Sequence, residues 1–120
     1  MSKRVLIVED EQDVAELVAD VLQMEGFDTR ISSGESAMNE ALHFSPDVVL
    51  LDLMMPVVDG FEVARRLHAD ETTRGLPIIV MTAMHDAVAK AREIGTQHVL
   101  AKPFDIEQLT RAVSAALEES

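Results

Sequence analysis

Three short apolar runs restrict the fold of this chain more than any other feature. Each run contains only apolar residues and is followed by a polar one: VLIV at 5–8, VVLL at 48–51 and IIVM at 78–81. Strands that are apolar at every position are typical of a parallel sheet covered by helices on both faces. Stretches with helical periodicity separate the runs, and this alternation predicts a parallel α/β fold. The predicted strands are 5–8, 27–31, 47–51, 78–81 and 98–101, with the first, third and fourth at the centre of the sheet.

Apolar residues recur at helical spacing after the first two predicted strands. Gly26 is expected to close the first helix. The inward positions of that helix are Val14, Leu17, Val18, Val21 and Leu22. The second helix is expected to begin with a capping box of Ser32 and Glu35 and to end at Pro46. Its inward positions are Met38, Ala41 and Leu42.

Three further helices are predicted after the later strands. The third begins at Asp59 or Gly60 and is followed by an exposed loop at 70–77. Its inward positions are Phe61, Ala64 and Leu67. The fourth, at about 85–94, is Ala-rich and weakly amphipathic. The fifth is predicted from a cap and an apolar stripe, namely Asp105 with Gln108 for the cap and Ile106, Leu109, Val113, Ala116 and Leu117 for the stripe.

The charge and composition of the chain argue against several functions. Ten Lys and Arg against 22 Asp and Glu give a net charge of −12, which repels nucleic acids and anionic membranes. The apolar run at 5–8 is too short for a signal peptide or a membrane span. The absence of cysteine excludes disulfides and thiolate metal sites and fits a cytoplasmic protein. With 120 residues and no linker or repeat, the chain is expected to form one domain over 1–120.

Polar residues that could perform chemistry follow four of the five predicted strands. Because the carboxyl ends of parallel strands lie at one edge of a sheet, we expect these residues to meet in one pocket. They are Glu9 and Asp10 after the first strand, Asp52 after the third, Thr82 and Ala83 after the fourth, and Lys102 after the fifth. Each one alone has an ordinary structural explanation, such as a helix cap, a strand residue or a surface charge. Their coincidence at one edge indicates a functional site.

The residue types in this predicted pocket suit phosphoryl transfer. Carboxylates that lie close together are neutralised by a shared proton or a bound cation, and an all-oxygen cluster favours Mg²⁺. Asp10 and Asp52 provide such ligands. Asp52 is also the natural nucleophile, because a carboxylate can attack phosphorus when the charge on the phosphoryl oxygens is neutralised. The hydroxyl of Thr82, the N–H of Ala83 and the ammonium of Lys102 are suitable donors for that purpose.

The chain closely resembles the receiver domain of bacterial response regulators, the acceptor half of two-component signalling. The matching motifs cover essentially the whole chain and are VLIVEDE at the first strand, LLDLMMPVVDG around Asp52, IIVMTA ending in Thr82 and Ala83, and AKPF around Lys102. The resemblance implies a flavodoxin-like, doubly wound sheet of five parallel strands in the order 2-1-3-4-5 with five helices.

The resemblance also implies a role for each residue at this edge. Asp52 would be the phosphoacceptor, and Thr82 and Lys102 would contact the phosphoryl group. Lys102–Pro103 would be a cis peptide bond that directs the ammonium at Asp52. A histidine kinase or phosphotransfer protein would donate the phosphoryl group. The domain itself would catalyse only this transfer and the later hydrolysis, so no conventional enzyme is expected. The implied Mg²⁺ contacts are Asp10, Asp52, the backbone carbonyl of Met54 and, through water, Glu9.

One position departs from the family's pattern. The family usually has Tyr, Phe or His three residues before the lysine, as a ring that swings inward when the threonine moves, and here that residue is Val99. The neighbouring His98 is expected to point to the opposite face of the sheet. We interpret Val99 as a packed strand residue. Met54 and Met84 flank the predicted pocket, and two interpretations remain open for them: they hinder the hydrolytic water, or they fill gaps in the core.

Three other functions are weighed against phosphoacceptance. A phosphohydrolase that forms an aspartyl phosphate generally needs a second acid two residues after Asp52, where Met54 stands. A flavin carrier needs a phosphate loop after the first strand, where Glu9 and Asp10 would repel the cofactor. The remaining alternative is a receiver-like interaction module that signals without phosphorylation, and the complete set of expected side chains argues against it.

The expected output is contact with a downstream protein, since no DNA-binding segment is present. The fourth helix, fifth strand and fifth helix form the expected contact face. The same face is a candidate for homodimerisation.

Overall fold

The computed structural model describes residues 2–118, in which five strands alternate with five helices. In chain order these elements are β1 (Arg4–Val8), α1 (Gln12–Met24), β2 (Asp28–Ser32), α2 (Ala37–Phe44), β3 (Val48–Asp52), α3 (Gly60–Ala69), β4 (Ile78–Thr82), α4 (Ala87–Ile94), β5 (His98–Ala101) and α5 (Ile106–Glu118). All strand pairs are parallel, and the order is β2-β1-β3-β4-β5. The predicted flavodoxin-like topology is confirmed. Within residues 2–118, no helix has both the length and the apolar character that a membrane span needs.

Two hydrophobic clusters cover the opposite faces of the sheet. Helices α1 and α5 pack on one face, against Val5 and Ile7 of β1. Helices α2, α3 and α4 pack on the other face, against Leu6 and Val8. Every residue of β3 and of β4 is buried, because both faces of these strands are covered. This double coverage explains why the central runs are apolar without alternation.

Three predicted helix ends are confirmed. Gly26 follows α1 with a φ of 95°, a left-handed conformation that glycine adopts without steric cost. Asp59 caps α3, since its carboxylate accepts the Glu62 N–H at 2.9 Å. Asp105 and Gln108 form a reciprocal capping box at α5, with contacts of 2.7 Å and 2.9 Å.

The predicted capping box of Ser32 and Glu35 is wrong. Ser32 is the last residue of β2 and pairs with Val8, and its hydroxyl donates to the carbonyl of Ser33 at 2.8 Å. Pairing with β1 holds Ser32 in an extended conformation, so α2 begins only at Ala37.

Several predicted boundaries shift by one or two residues. Strand β2 covers 28–32 instead of 27–31, and α4 begins at residue 87 instead of 85. Strand β3 covers 48–52 instead of 47–51, and Asp47 directly before it accepts the Arg4 N–H on its carboxylate at 2.8 Å. The loop at 70–77 is not wholly exposed, since Thr73 is buried and its hydroxyl donates to the carbonyl of Leu67 at 2.6 Å.

Three apolar residues that were predicted to face inward lie on the surface. Leu17 is 63% exposed, Leu42 is 41% exposed and Ile106 is 61% exposed. In α1 the buried stripe runs through the small residues Ala15 and Ala19, which allow close approach of the helix to the sheet and leave Leu17 at its margin. The buried stripe of α1 is therefore rotated toward Ala15 and Ala19, away from the position that the large apolar residues alone indicate.

Candidate functional site

The carboxyl ends of four adjacent strands bring the predicted site residues to one edge of the sheet. Asp52 is the last residue of β3 and pairs with Met81 of β4. Thr82 is the last residue of β4 and pairs with Ala101 of β5, directly before Lys102. Glu9 follows β1, and its N–H donates to the carbonyl of Ser32 at 3.1 Å. The register of the sheet, rather than any loop, therefore sets the positions of these side chains.

Lys102 connects the two buried acids of the site. Its Nζ lies 2.7 Å from Glu9 Oε1 and 3.3 Å from Asp52 Oδ2. Glu9 and Asp52 are each only 3% exposed. Two carboxylates thus share one ammonium group in a largely dry environment, which leaves the buried cluster with an excess of negative charge.

This crowding shifts the pKa of two groups. Burial raises the pKa of the Glu9 carboxyl, and the hydrogen bond and charge of Asp52 raise it further, while Lys102 opposes the shift. Burial by itself would lower the pKa of Lys102, but hydrogen bonds and attraction to Glu9 and Asp52 outweigh burial and raise it. The lysine is therefore held as a cation, and the charged form of Glu9 is disfavoured.

Backbone N–H groups orient the site side chains. The Met54 N–H donates to Asp52 Oδ1 at 3.0 Å, and the Met84 N–H donates to Thr82 Oγ1 at 3.0 Å. The Lys102 N–H donates to the carbonyl of Thr82 at 2.9 Å. Lys102–Pro103 is a cis peptide bond, as predicted. These contacts fix the acid and the hydroxyl on neighbouring strands.

Gly60 belongs to the site, although sequence reasoning treated it only as a helix start. A Cβ at this position would lie 2.4 Å from the carbonyl oxygen of Asp52 and 2.7 Å from the Cα of Leu53. Only glycine allows α3 to begin this close to the end of β3. The Asp-Gly pair at 59–60 is the sequence signal that could have indicated it.

Two of the predicted site residues are exposed, unlike the buried Glu9, Asp52 and Thr82. Asp10 and Ala83 are exposed, and Asp10 lines a cavity of about 610 Å³ together with Glu9, Ser32 and Val58. Across residues 2–118, no three His, Cys, Asp or Glu side chains are grouped so that they could hold a metal ion. The predicted donor set still fits Mg²⁺ in chemistry, since it offers only oxygen atoms and more negative than positive charge.

Val99 and the two methionines have separate environments. Val99 is partly buried and packs against the cluster formed with α2, α3 and α4, which supports its interpretation as a packed strand residue. Met54 is 64% exposed, so the gap-filling interpretation is wrong for it. Met84 is half-buried.

Sequence comparisons match the chain to one family. A family model described as the response regulator receiver domain matches residues 5–114. The DNA-binding dual master transcriptional regulator RpaA of a Synechocystis species is 36% identical over 120 residues, covering 98% of this chain and 50% of the relative. The DNA-binding response regulator MtrA of Mycobacterium tuberculosis is 39% identical over 123 residues, covering 100% of this chain and 53% of the relative. The chain thus spans about half the length of the curated relatives it matches.

Solved structures of similar proteins share the same architecture. The chemotaxis protein CheY4 of Vibrio cholerae has a TM-score of 0.91 and 27% identity, covering 98% of this chain and 100% of that one. The signal receiver domain of a histidine kinase from Syntrophus aciditrophicus has a TM-score of 0.88 and 28% identity, covering 98% and 92%.

Proposed function

The chain belongs to the response regulator receiver domain family, and on that premise we propose that Asp52 accepts a phosphoryl group from a histidine kinase or phosphotransfer protein. The phosphorylated domain then signals through protein contacts. Phosphorylation-based signalling fits the family, and the alternative of a phosphorylation-independent module is not favoured. The family implies no conventional enzyme activity, so the proposed chemistry is limited to transfer onto Asp52 and its later hydrolysis.

The observation that carries this proposal is the position of the Lys102 ammonium between two buried acids. Its Nζ lies 3.3 Å from Asp52 Oδ2 and 2.7 Å from Glu9 Oε1. A cation at that distance can pair with an oxygen of a phosphoryl group formed on Asp52. A lysine that served only as a surface charge would not be placed against two acids that are almost fully buried.

The other contacts support a phosphoryl group on Asp52 Oδ2. The Met54 N–H holds Oδ1 at 3.0 Å, so Oδ2 is the oxygen on the Lys102 side and the better placed nucleophile. Thr82 ends the neighbouring strand, and its hydroxyl, which accepts the Met84 N–H in this structure, can donate to the phosphoryl group. Ala83 is an exposed residue, and its backbone N–H adds a further donor in the proposal.

Glu9, Asp10, Asp52 and the Met54 carbonyl would hold Mg²⁺. When bound, Mg²⁺ would neutralise negative charge on the carboxylates and on the phosphoryl oxygens. Lys102 alone leaves one of the two buried carboxylates without a counter-charge, which is the reason a second cation fits here.

The readout of phosphorylation is proposed to begin at Thr82. If its hydroxyl turns toward the phosphoryl group, its contact with the Met84 N–H at the start of the loop before α4 changes as well. Val99 offers an aliphatic side chain packed on the α4 side of the sheet in place of a mobile ring. A downstream protein, or a second copy of the chain, would then contact α4, β5 and α5.

Mass measurement after incubation with Mg²⁺ and a small acyl phosphate donor tests the proposal. The wild type is expected to gain one phosphoryl group, and Asp52→Asn is expected to gain none. Asp20→Asn is the matched control because Asp20 is exposed on α1 and the substitution makes the same charge change. Equal uptake by wild type and Asp52→Asn, or loss of uptake in Asp20→Asn, would overturn the assignment of Asp52.

A further inference from the structure

A second polar cavity lies at the opposite edge of the sheet from Asp52. It has a volume of about 480 Å³ and is located at the amino ends of β4 and β5, beside Ile78 and the first residue of β5. Volumes of about 300–1,000 Å³ are usual for small-molecule sites. The polar side chains around it are His68, Arg74, Arg92, Thr96, Gln97 and His98.

The charge around this cavity is opposite to that of the chain as a whole. Among residues 2–118, no Asp or Glu lines it, although 22 of the 120 residues of the chain are acidic. Arg74 and Arg92 have no ion pair with any residue in the range 2–118. By contrast, the arginines at 30, 65, 66 and 111 each pair with a glutamate. Within residues 2–118, Arg74 and Arg92 thus lack counter-charges on a strongly acidic protein; Arg4 also has no ion pair there, but its guanidinium donates to the carbonyl of Phe44 at 2.9 Å, away from this cavity.

Four different elements bring these cations and imidazoles together. His68 lies in the last turn of α3 and Arg92 in the last turn of α4, where positive charge is favoured by the helix dipole. The dipole does not account for Arg74, which comes from the loop at 70–77, or for His98, which begins β5. Helix ends therefore explain part of the cluster but not its convergence on one cavity.

Specific hydrogen bonds hold several of the residues that line the cavity. The Thr96 hydroxyl donates to the carbonyl of Ile78 at 2.6 Å and accepts the His98 N–H at 3.1 Å, which ties β4 to β5. The Arg74 Nε donates to the carbonyl of His68 at 3.2 Å, which fixes that guanidinium at the end of α3. This bond uses only one of the five N–H donors of the guanidinium group.

We propose that this cavity binds a small anion that carries two or more phosphate groups. Guanidinium groups pair with phosphate oxygens in a bidentate manner, and two unpaired ones from different elements suit two phosphates better than one. The bound anion would connect the end of α3, the loop at 70–77 and the end of α4. The proposal does not depend on phosphorylation of Asp52, since the two sites lie at opposite edges of the sheet.

Titration of inorganic pyrophosphate into the intact chain without Mg²⁺, followed by backbone NMR, tests this inference. We expect saturable binding with shifts at Gly95, Thr96 and Gln97. Arg74→Gln and Arg92→Gln should each weaken binding about tenfold, as expected for the loss of one charge-assisted contact. Arg30→Gln is the matched control, because it makes the same charge change on β2, far from the cavity.

Three results would overturn the inference: no saturable binding, equal weakening by Arg30→Gln, or shifts confined to Glu9, Asp52 and Lys102. The first would mean that the cavity does not bind a diphosphate anion. The second would mean that binding depends only on the net charge of the protein. The third would place pyrophosphate at the carboxyl edge of the sheet, beside Asp52. The wild-type shift map remains decisive even if an arginine variant fails to fold. Phosphoryl uptake by Asp52 should be unchanged in both arginine variants, which separates this test from that of the proposed function.

Discussion

The carboxyl edge of the sheet buries acids around a lysine, whereas the amino edge surrounds an open cavity with arginines and histidines. Glu9 and Asp52 are almost fully buried and share Lys102, while Arg74 and Arg92 are exposed and unpaired within residues 2–118. One parallel topology thus separates charge of opposite sign to its two ends. The carboxyl edge is tightly packed, so we expect substitutions there to destabilise the fold. The amino edge is open, and substitutions there should have smaller effects on stability.

The comparison is tested most strongly by one methyl group at each edge. Gly60→Ala is expected to destabilise the fold by about 3 kcal/mol, because its Cβ would meet backbone atoms at 2.4 Å and 2.7 Å. Gly75→Ala, in the loop at the amino edge, has nothing within 4 Å of its added Cβ and should change stability by less than about 0.5 kcal/mol. Urea unfolding of both variants measures the difference. Equal destabilisation would show that the two edges do not differ in tightness.

Removal of one cation from each edge should give a smaller difference in stability than the two glycine substitutions. Lys102→Met leaves Glu9 and Asp52 adjacent and unneutralised, and we expect a loss of about 2 kcal/mol at neutral pH. Arg74→Gln removes an exposed cation that has only one hydrogen bond, to a carbonyl, and should cost less than about 1 kcal/mol.

The cause of the Lys102 effect can be isolated with a second substitution. Glu9→Gln in the Lys102→Met background removes one of the two uncompensated charges and should recover about half of the lost stability. A double variant that is no more stable than Lys102→Met would mean that lost packing, rather than unpaired charge, explains the first result.

The amino edge also contains a buried hydrogen bond, between Thr73 and Leu67, whose loss should lower the stability of the fold. Thr73→Val removes the hydroxyl that donates to the Leu67 carbonyl at 2.6 Å and leaves that carbonyl without this partner. A loss of about 1.5 kcal/mol is expected from a buried, unsatisfied acceptor. Thr72→Val is the matched control, because its side chain is exposed and only its backbone N–H is used, by Asp70. Thermal melts of the two variants that coincide would contradict a structural role for Thr73.

The two edges also differ in how far the sequence could predict them. The residues of the carboxyl edge directly follow apolar strands, so strand assignment alone places Glu9, Asp52, Thr82 and Lys102 together. The same runs predict the parallel α/β class, whereas the strand order 2-1-3-4-5 was expected from the family resemblance. The amino edge could not be predicted in this way, because its cations come from helix ends and a loop whose distances from the strands vary. The cavity becomes visible only when the chain is folded.

Residues at the margins of elements were the main source of errors in the fold prediction. Ser32 has the local pattern of a cap, but pairing with β1 is a tertiary contact that overrides it. Leu17 and Ile106 fit the helical period and are nevertheless exposed. In α1 the small residues Ala15 and Ala19 are buried instead, which shifts the buried stripe away from Leu17. Leu17 and Ile106 line one shallow cavity, so they are near neighbours at the surface.

The smallest expected effect concerns an exposed acid near the carboxyl edge, in the first turn of α3. Hydrogen bonds from Arg65 and Arg66 lower the pKa of Glu62 to about 2. A group with a lowered pKa in the folded state contributes stability above its unfolded value of 4.5, and this contribution is lost as the pH falls from about 4.5 to about 2.

Wild type should therefore melt at a slightly higher temperature than Glu62→Gln at neutral pH, and the two melting temperatures should converge near pH 2. The difference should shrink in high salt, because both arginines are largely exposed. If the gap stays constant between neutral pH and pH 2, the charge of Glu62 is not its cause. The pKa of Glu9 shifts in the opposite direction because its carboxylate is buried and shares the single cation Lys102 with Asp52. The Glu62 carboxylate stays in contact with water and pairs with two cations, so its pKa is lowered.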